Sequence, residues 1–449
     1  MEDNLLRLLR QKLVDGITMP LPVLTRRDTW IPRVAGKVLA VIGMRRSGKT
    51  SLLWQELGDR LANPGMERSG LPWISLEDER LIGAGPELLD AYLEIWFSLH
   101  PQWRQPQPGK LRPCLFLDEV QVIPGWEGFV RRVIDTEPLD VVVSGSSAQM
   151  LSAEIATNLR GRAVETLLWP FSFREALRHQ RLEPSITAEH WSSAERSSLQ
   201  HQLERYLLEG GFPEVQGLDA RSRRSLLLSY VDSTVLRDVM ERHNIRNPLA
   251  LQWLVRQLLA HAGGAFSVNK LHQAMRSQGL AISREHLTEL VQHLEQAFLI
   301  TSLVAGGGSL RRTQSLPRKI YPIDPGLIPL YDRSGRANLG HALETVVLME
   351  LRRRGAELSY LRSESGREVD ALALLPDGQK LLVQVCASLH DADTREREVT
   401  SLLELADTPT GRSAETVLIS LDARPPDLGD AARRLRWRPA IDWLLDDQT

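Results

Sequence analysis

The chain has 449 residues, 42% of them apolar and 25% charged, a globular composition that predicts two to four domains at about 100–200 residues each. Its formal net charge of −2 excludes a uniformly basic nucleic-acid binder, so any such binding requires a local basic patch. The two cysteines, Cys114 and Cys386, exclude a disulfide framework, and no apolar run reaches the ~18 residues of a membrane span. We therefore expect a cytoplasmic protein with no membrane partner.

The first third of the chain alternates short apolar runs with helical patterns. Such alternation favours βαβ units and a parallel sheet. The predicted strands are 38–43, 72–76, 114–117, 139–143 and 163–168.

From about residue 172 the pattern becomes helical, with segments 172–182, 194–209, 221–242 and 248–261. Two shorter helices, 267–278 and 283–296, each begin with a serine N-cap. A glycine-tipped hairpin follows, from strand 298–304 through glycines 306–308 to strand 319–322, and this order is typical of a winged helix-turn-helix. The last third begins with helix 341–354 and continues with strands 357–362, 368–375 and 380–387.

A phosphate-binding motif follows the first predicted strand. Residues Gly43 to Thr50 match G-x-x-x-x-G-K-[ST], and Ser51 continues into a helix. Glycines let backbone N–H groups point at phosphates, Lys49 places a cation on them, and the Thr50 hydroxyl ligates Mg²⁺. The predicted nucleotide contacts are Gly43, Arg45, Arg46, Ser47, Gly48, Lys49, Thr50 and Ser51.

Two carboxylates follow the third predicted strand at the edge where open α/β sheets bind ligands. We expect Asp118 to hold Mg²⁺ and Glu119 to polarise the attacking water. In the run that ends the next strand, Ser146 is a candidate sensor of the terminal phosphate, although an N-cap of a helix over 147–159 explains this serine equally well.

Arg160 and Arg162 lie between that helix and the fifth strand. We interpret Arg162 as an arginine finger that reaches a neighbouring subunit, with a surface ion pair as the alternative.

Several of these motifs together resemble a bacterial and archaeal family of AAA+-type ATPases. The resemblance covers nearly the whole chain and includes the runs Gly43–Thr50, Leu115–Glu119, Trp169–Glu175, Gly210–Pro213, Lys319–Gly326 and Gly366–Asp370. It implies an N-terminal ATPase domain with ATP and Mg²⁺ as cofactors, joined to C-terminal domains of unknown function with a nuclease-like end.

The nuclease-like end lacks part of its expected chemistry. A PD-(D/E)XK nuclease needs a helical Glu, a strand Asp and an acid and a lysine on the next strand. Glu344 and Asp370 fit the first two positions, but Gln384 and Cys386 stand where the acid and lysine are expected. We therefore expect the nuclease fold without hydrolysis.

Nucleic-acid binding remains an open alternative. Helix 283–296 presents Arg284, His286 and His293 but also three glutamates, so it could equally be a lid or an assembly module. The more basic candidates are Arg221, Arg223, Arg224, Arg237, Arg242, Arg246, Arg311, Arg312, Arg318, Lys319 and the run Arg433, Arg434, Arg436, Arg438 around Trp437. The alternative for each arginine is a solvated helix face.

The sequence thus predicts an α/β protein with a P-loop AAA+-type parallel-sheet core (1–215), a helical and winged-helix middle (216–325) and an α/β restriction-endonuclease-like end (326–449). We expect Mg²⁺-dependent ATP hydrolysis that drives a switch or remodeller acting on a protein or nucleic-acid partner, with homo-oligomers formed around Arg162. The alternative is an ATP-regulated DNA- or RNA-binding protein with residual nuclease activity.

Overall fold

The computed structural model describes residues 2–105, 112–145, 159, 161–245, 247–307, 316–332 and 338–446. These residues form two compact units, Met1–Trp169 and Pro170–Thr449. The predicted three-part division at residues 215 and 325 stays a prediction.

The N-terminal unit is built on a five-stranded parallel sheet in the order β2-β3-β4-β1-β5. Every residue of β1 and β3 is buried, which explains why these strands show continuous apolar runs instead of alternation. The strands are β1 (Val38–Ile42), β2 (Trp73–Ser75), β3 (Cys114–Asp118), β4 (Asp140–Gly145) and β5 (Ala163–Leu167). All five predicted strands are confirmed within a few residues.

The helices of this unit include one after β1 that begins directly at the lysine of the phosphate motif. The α-helices are Glu2–Thr18, Lys49–Leu61, Glu87–Leu99 and Trp126–Thr136, with 3₁₀ turns at Arg68–Gly70, Glu79–Leu81, Pro101–Trp103 and Val120–Val122. Gly48 precedes Lys49 with φ of 99°, a conformation that glycine adopts without a steric penalty.

The C-terminal unit begins with helices. They are Phe173–His179, Ser193–Glu209, Ala220–Ser233 and Pro248–Ala260, with 3₁₀ turns at Ala188–His190 and Pro213–Val215. The predicted helical segment 221–242 is confirmed as the helix Ala220–Ser233 followed directly by a π-helical stretch, Thr234–Glu241. Thr234, Val235 and Val239 are β-branched and lower α-helix propensity, and the wider turns bury all three.

Two helices and a small antiparallel sheet follow. The helices are Val268–Ser277 and Arg284–Gln296, and Ser267 and Ser283 accept hydrogen bonds from the backbone of their first turns, as predicted. The sheet has the order β6-β8-β7, with β6 (Ala265–Phe266), β7 (Ile300–Leu303) and β8 (Arg318–Pro322). Of the predicted glycine tip 306–308, Gly308 lies outside the described residues.

The chain ends in a mixed sheet of order β13-β12-β11-β10-β9. Strands β9, β10 and β11 are antiparallel neighbours, whereas β11, β12 and β13 run parallel. The strands are β9 (Glu357–Arg362), β10 (Glu368–Leu374), β11 (Lys380–Cys386), β12 (Glu415–Ser420) and β13 (Arg436–Pro439); the helices are Ile328–Tyr331, Leu339–Arg353, Ala392–Ala406 and Ala440–Leu444, with 3₁₀ turns at Pro325–Leu327 and Gly429–Arg433. The helix over 341–354 and the first three strands are confirmed; the remaining elements were not predicted.

Candidate functional site

The phosphate motif forms a tight loop at the carboxyl end of β1. Gly43 has φ of 154°, and a Cβ atom there would lie 2.3 Å from the Leu168 carbonyl oxygen, so the loop requires glycine. Arg46 adopts a left-handed conformation with φ of 67°. The buried Ser47 hydroxyl has no hydrogen-bond partner among the described residues. The loop therefore contains a buried polar group whose hydrogen-bonding capacity the described residues leave unused.

Arg27 supports this loop from outside the motif. Its buried guanidinium donates hydrogen bonds to the Ser47 carbonyl oxygen at 2.9 Å and to the Trp169 carbonyl oxygen at 2.6 Å. Charge-assisted bonds of this kind fix the two backbone segments together. Sequence reasoning missed Arg27, and no local motif marks it.

The predicted acidic and basic residues meet at the carboxyl edge of the sheet. Lys49 Nζ donates to the carbonyl oxygens of Gly43 and Met44, both at 3.2 Å, and lies 3.7 Å from Glu119 Oε1. The Thr50 hydroxyl donates to Asp118 Oδ2 at 2.9 Å. Lys49 and Asp118 are both buried. Residues 69 positions apart in the sequence therefore form one site, as the motifs predict.

Ser144, at the end of β4, organises the two carboxylates. Its hydroxyl donates to Asp118 Oδ1 and accepts the Glu119 backbone N–H at 3.0 Å. Gln121 Nε2 donates to Glu119 Oε2 at 2.5 Å, and Glu119 itself has φ of 55°. Burial raises the pKa of Asp118. A bound cation beside this carboxylate would offset the cost of burying its charge.

The remaining catalytic candidates are Ser146, Arg160 and Arg162. Ser146 and Arg160 lie outside the described residues, so their roles stay predictions. Arg162 precedes β5, so it lies at the amino ends of the parallel strands, whereas the phosphate loop lies at their carboxyl ends. Its guanidinium is 3.0 Å from Asp135 Oδ2. The Arg162 and Asp135 side chains remain 39% and 44% exposed. Within one chain, Arg162 therefore does not reach the phosphate loop.

The remaining predicted loop arginine, Arg45, lies near an acidic side chain. Its Nη1 is 3.9 Å from Glu77 Oε1. Ser51, in the first turn of the following helix, is half-buried. These positions keep both residues beside the loop.

A second polar cluster lies in the C-terminal unit. Glu344 on helix Leu339–Arg353, Asp370 on β10 and Gln384 on β11 converge there, as their pattern predicts. Lys319 from β8 joins them, with Nζ 3.1 Å from Asp370 Oδ1. Sequence reasoning grouped Lys319 with surface cations and did not place it here. Cys386 donates from its thiol to the Ser388 carbonyl oxygen at 3.1 Å, and burial raises its pKa.

Most basic residues considered for nucleic-acid contact have polar partners. Arg224 donates to the Leu330 carbonyl oxygen at 2.9 Å. Ion pairs join Arg223 to Glu209, Arg242 to Asp238, Arg433 to Asp430, Arg434 to Asp407, Arg436 to Glu415 and Arg438 to Asp446. Arg246, Arg311 and Arg312 lie outside the described residues.

Comparison with protein families gives three consecutive matches. Residues 35–177 match an AAA domain, and residues 200–333 and 339–435 match two domains of unknown function, DUF8612 and DUF4143. Together with the parallel sheet, the glycine loop and the Thr50–Asp118 pair, these matches define an AAA-type P-loop ATPase with C-terminal domains of unknown function.

Sequence similarity to known relatives identifies the family. The chain is 32% identical to the uncharacterized protein MJ1544 of Methanocaldococcus jannaschii over 378 residues, 83% of this chain and 79% of the relative. The chain therefore belongs to the same family as this archaeal protein. An uncharacterized protein of Haemophilus influenzae is 27% identical over 379 residues, 82% of this chain and 86% of the relative.

Among solved structures, the Walker-type ATPase PABY2304 of Pyrococcus abyssi is 14% identical with a TM-score of 0.41. The match covers 72% of this chain and 94% of that one. In the described part of the chain, no helix is long and apolar enough to cross a membrane.

Proposed function

We propose that the protein binds ATP and hydrolyses it to ADP and phosphate in a Mg²⁺-dependent reaction. The observation that carries this proposal is the Thr50–Asp118 hydrogen bond of 2.9 Å beside Lys49, inside a glycine loop at the sheet edge. A hydroxyl and a carboxylate are hard oxygen donors, which suit Mg²⁺. Thr50 and Asp118 would hold this ion, which would neutralise charge on the phosphate oxygens.

The protein's own residues have separable tasks in this proposal. Backbone N–H groups of the loop and the Lys49 ammonium bind and orient the phosphates. Glu119 accepts the proton of the attacking water, since a carboxylate positioned in this way is a general base. Gln121 and Ser144 hold Glu119 in place through its side chain and its backbone, respectively.

Two substitutions separate binding from hydrolysis. Lys49→Ala should abolish ATP binding, measured by isothermal titration calorimetry, because it removes the cation within the loop. Glu119→Gln should leave ATP binding intact and reduce turnover by about 10²-fold or more, because the amide cannot accept the proton.

A matched control removes an exposed lysine elsewhere. Lys270→Ala deletes the same charge on an exposed helix of the C-terminal unit and should bind and hydrolyse ATP like the wild type. If Glu119→Gln hydrolyses ATP at the wild-type rate, the assignment of Glu119 as the base is wrong.

We further propose that the ATP state controls engagement of a partner by the C-terminal unit in the cytoplasm. Helices Val268–Ser277 and Arg284–Gln296 with the β6-β8-β7 sheet follow the order of a winged helix. Leu287, Leu290 and Leu294 face the core and leave a mixed acidic and basic outer face. That charge mixture and the ion-paired arginines favour a protein partner over nucleic acid.

The partner class is tested by stimulation of turnover. ATPase rates measured with double-stranded DNA, single-stranded DNA and RNA should match the rate without nucleic acid. Stimulation of several-fold by any of them would favour a nucleic-acid remodeller instead.

A further inference from the structure

Lys319 lies at the centre of the acidic cluster formed by Glu344, Glu368 and Asp370. Its Nζ is 3.1 Å from Asp370 Oδ1, 3.5 Å from Glu344 Oε1 and 3.9 Å from Glu368 Oε2. The lysine side chain is 9% exposed, so the ammonium is largely removed from water. Three carboxylates from one helix and one strand therefore converge on a single buried cation.

The oxygens that a nuclease would offer to Mg²⁺ are already engaged. Asp370 Oδ2 accepts the Val385 backbone N–H at 3.0 Å, and Glu344 Oε1 accepts the Tyr321 hydroxyl at 2.6 Å. Gln384 Oε1 accepts the Asp370 backbone N–H at 3.3 Å.

The amide nitrogen of Gln384 is engaged as well. Its amide donates to Glu398 Oε2 at 2.6 Å. Over the described ranges, no group of three or more His, Cys, Asp and Glu residues could hold a metal ion. The residues present do not fit the divalent ion that a nuclease site requires.

We infer that the Lys319 ammonium occupies the position of a divalent cation and makes this a permanently metal-free site. A cluster of ionised buried carboxylates is destabilised without a counter-charge, and Lys319 supplies that charge from within the chain. Because Lys319 belongs to β8, the same ion pairs fasten the small antiparallel sheet to helix Leu339–Arg353 and to β10. The cation of this cluster thus comes from β8 and not from position 386, and it blocks metal binding.

The proton equilibria agree with this geometry. Burial alone would lower the pKa of Lys319, but Asp370 and Glu344 more than offset that effect, so its pKa lies above the ordinary lysine value. Burial and the neighbouring Asp370 raise the pKa of Glu344 to about 8. Burial and Asp370 thus favour the protonated form of Glu344, which lowers the negative charge that the Lys319 ammonium balances.

The test is a Mn²⁺ titration followed by electron paramagnetic resonance, without nucleotide. The full chain carries Asp118→Asn throughout, so that the phosphate site does not contribute. With Lys319 present, we expect no Mn²⁺ binding that depends on Asp370. In Lys319→Met the carboxylates lose their counter-ion and can move together around a cation in its place, so this variant should gain one bound Mn²⁺ per chain. Adding Asp370→Asn should remove that ion again.

Lys319→Arg is the matched control, since it keeps the charge and should not gain the ion. Asp370-dependent Mn²⁺ binding in the presence of Lys319 would overturn the inference. So would the absence of a gained ion in a folded Lys319→Met variant, because Lys319 would then be an ordinary ion-pair partner.

A second measurement needs no substitution at Lys319, so it tests the inference even if Lys319→Met does not fold. The otherwise unsubstituted chain is incubated with linear and single-stranded DNA and Mn²⁺, and we expect no cleavage. Cleavage that Asp370→Ala abolishes would also contradict the inference. Neither experiment depends on ATP hydrolysis. A result that contradicts the inference would therefore leave the proposed ATPase function in place.

Discussion

Ser144 shows how a single hydroxyl can determine the geometry of the phosphate site. It joins Asp118 and the backbone of Glu119, the two residues proposed for Mg²⁺ binding and water activation. Ser144→Ala leaves a buried carboxylate oxygen and a backbone N–H without this partner. We expect kcat for ATP hydrolysis to fall by about 10–100-fold, as for other residues that position metal ligands, with a smaller change in ATP affinity.

The control for Ser144→Ala removes another buried hydroxyl of the same sheet. Thr166 Oγ1 has no hydrogen-bond partner in the described part of the chain, so Thr166→Val should leave kcat unchanged. Steady-state kinetics on both variants compare the two hydroxyls directly. Equal kcat values for Ser144→Ala and wild type would contradict the positioning role.

Residue-scale prediction succeeds where the chemistry is contiguous. Residues Gly43 to Thr50 and the Asp118-Glu119 pair are recognisable because each lies within one local motif, and the parallel sheet brings their strand ends together. Arg27 and Lys319 could not be found in this way. Arg27 and its partner Trp169 are 142 residues apart in the sequence, and Lys319 and Asp370 are 51 residues apart. Contacts of this range depend on tertiary packing.

At the scale of elements, periodicity identified the strands of the parallel sheet and most helices, but not the π-helical segment Thr234–Glu241. The residues within it still have a helical pattern, and that pattern does not distinguish an α-helical turn from a π-helical one. Helix Ala392–Ala406 and strands β12 and β13 were also missed. Of these, β12 is almost entirely buried, so its apolar run Val417–Ile419 was a usable signal.

Asp324 joins two elements of the C-terminal unit and makes its stability depend on pH. This carboxylate follows β8 and accepts the backbone N–H groups of Gly211 at 2.6 Å and Gly326 at 2.9 Å. Burial raises its pKa to about 6, above the ordinary value of 3.8. Its contribution to stability is therefore full below about pH 4 and is lost as pH rises through 6.

Asp324→Asn should remove this part of the pH dependence. Between pH 5 and 8 the free energy of unfolding of the wild type should fall by on the order of 1 kcal/mol more than that of Asp324→Asn. Urea unfolding at several pH values gives the slope of the unfolding free energy against pH for each protein. The comparison of slopes does not depend on the absolute stability of the variant. Asp430→Asn, at a fully exposed carboxylate, should retain the wild-type slope, and identical slopes for Asp324→Asn would refute the assignment.

At the scale of the whole molecule, the position of Arg162 makes its proposed catalytic role a question of assembly. The residue lies at the sheet edge opposite the phosphate loop, so it can contact ATP only on a neighbouring copy. Under this proposal, Arg162→Ala alone should lower kcat by about 10³-fold, the smaller end of the range for arginine fingers. Arg433→Ala, which removes an exposed arginine elsewhere, should leave kcat unchanged.

Mixing two inactive variants separates a neighbour's arginine from a purely structural one. In assemblies of Arg162→Ala and Glu119→Gln chains, some sites combine an intact Glu119 with an intact Arg162 from the adjacent chain. ATPase activity should therefore reappear in the mixture above the sum of the separate variants. Mass photometry must show that mixed assemblies form. If the activity of such a mixture does not exceed that sum, Arg162 is only the ion-pair partner of Asp135, and another residue contacts the terminal phosphate.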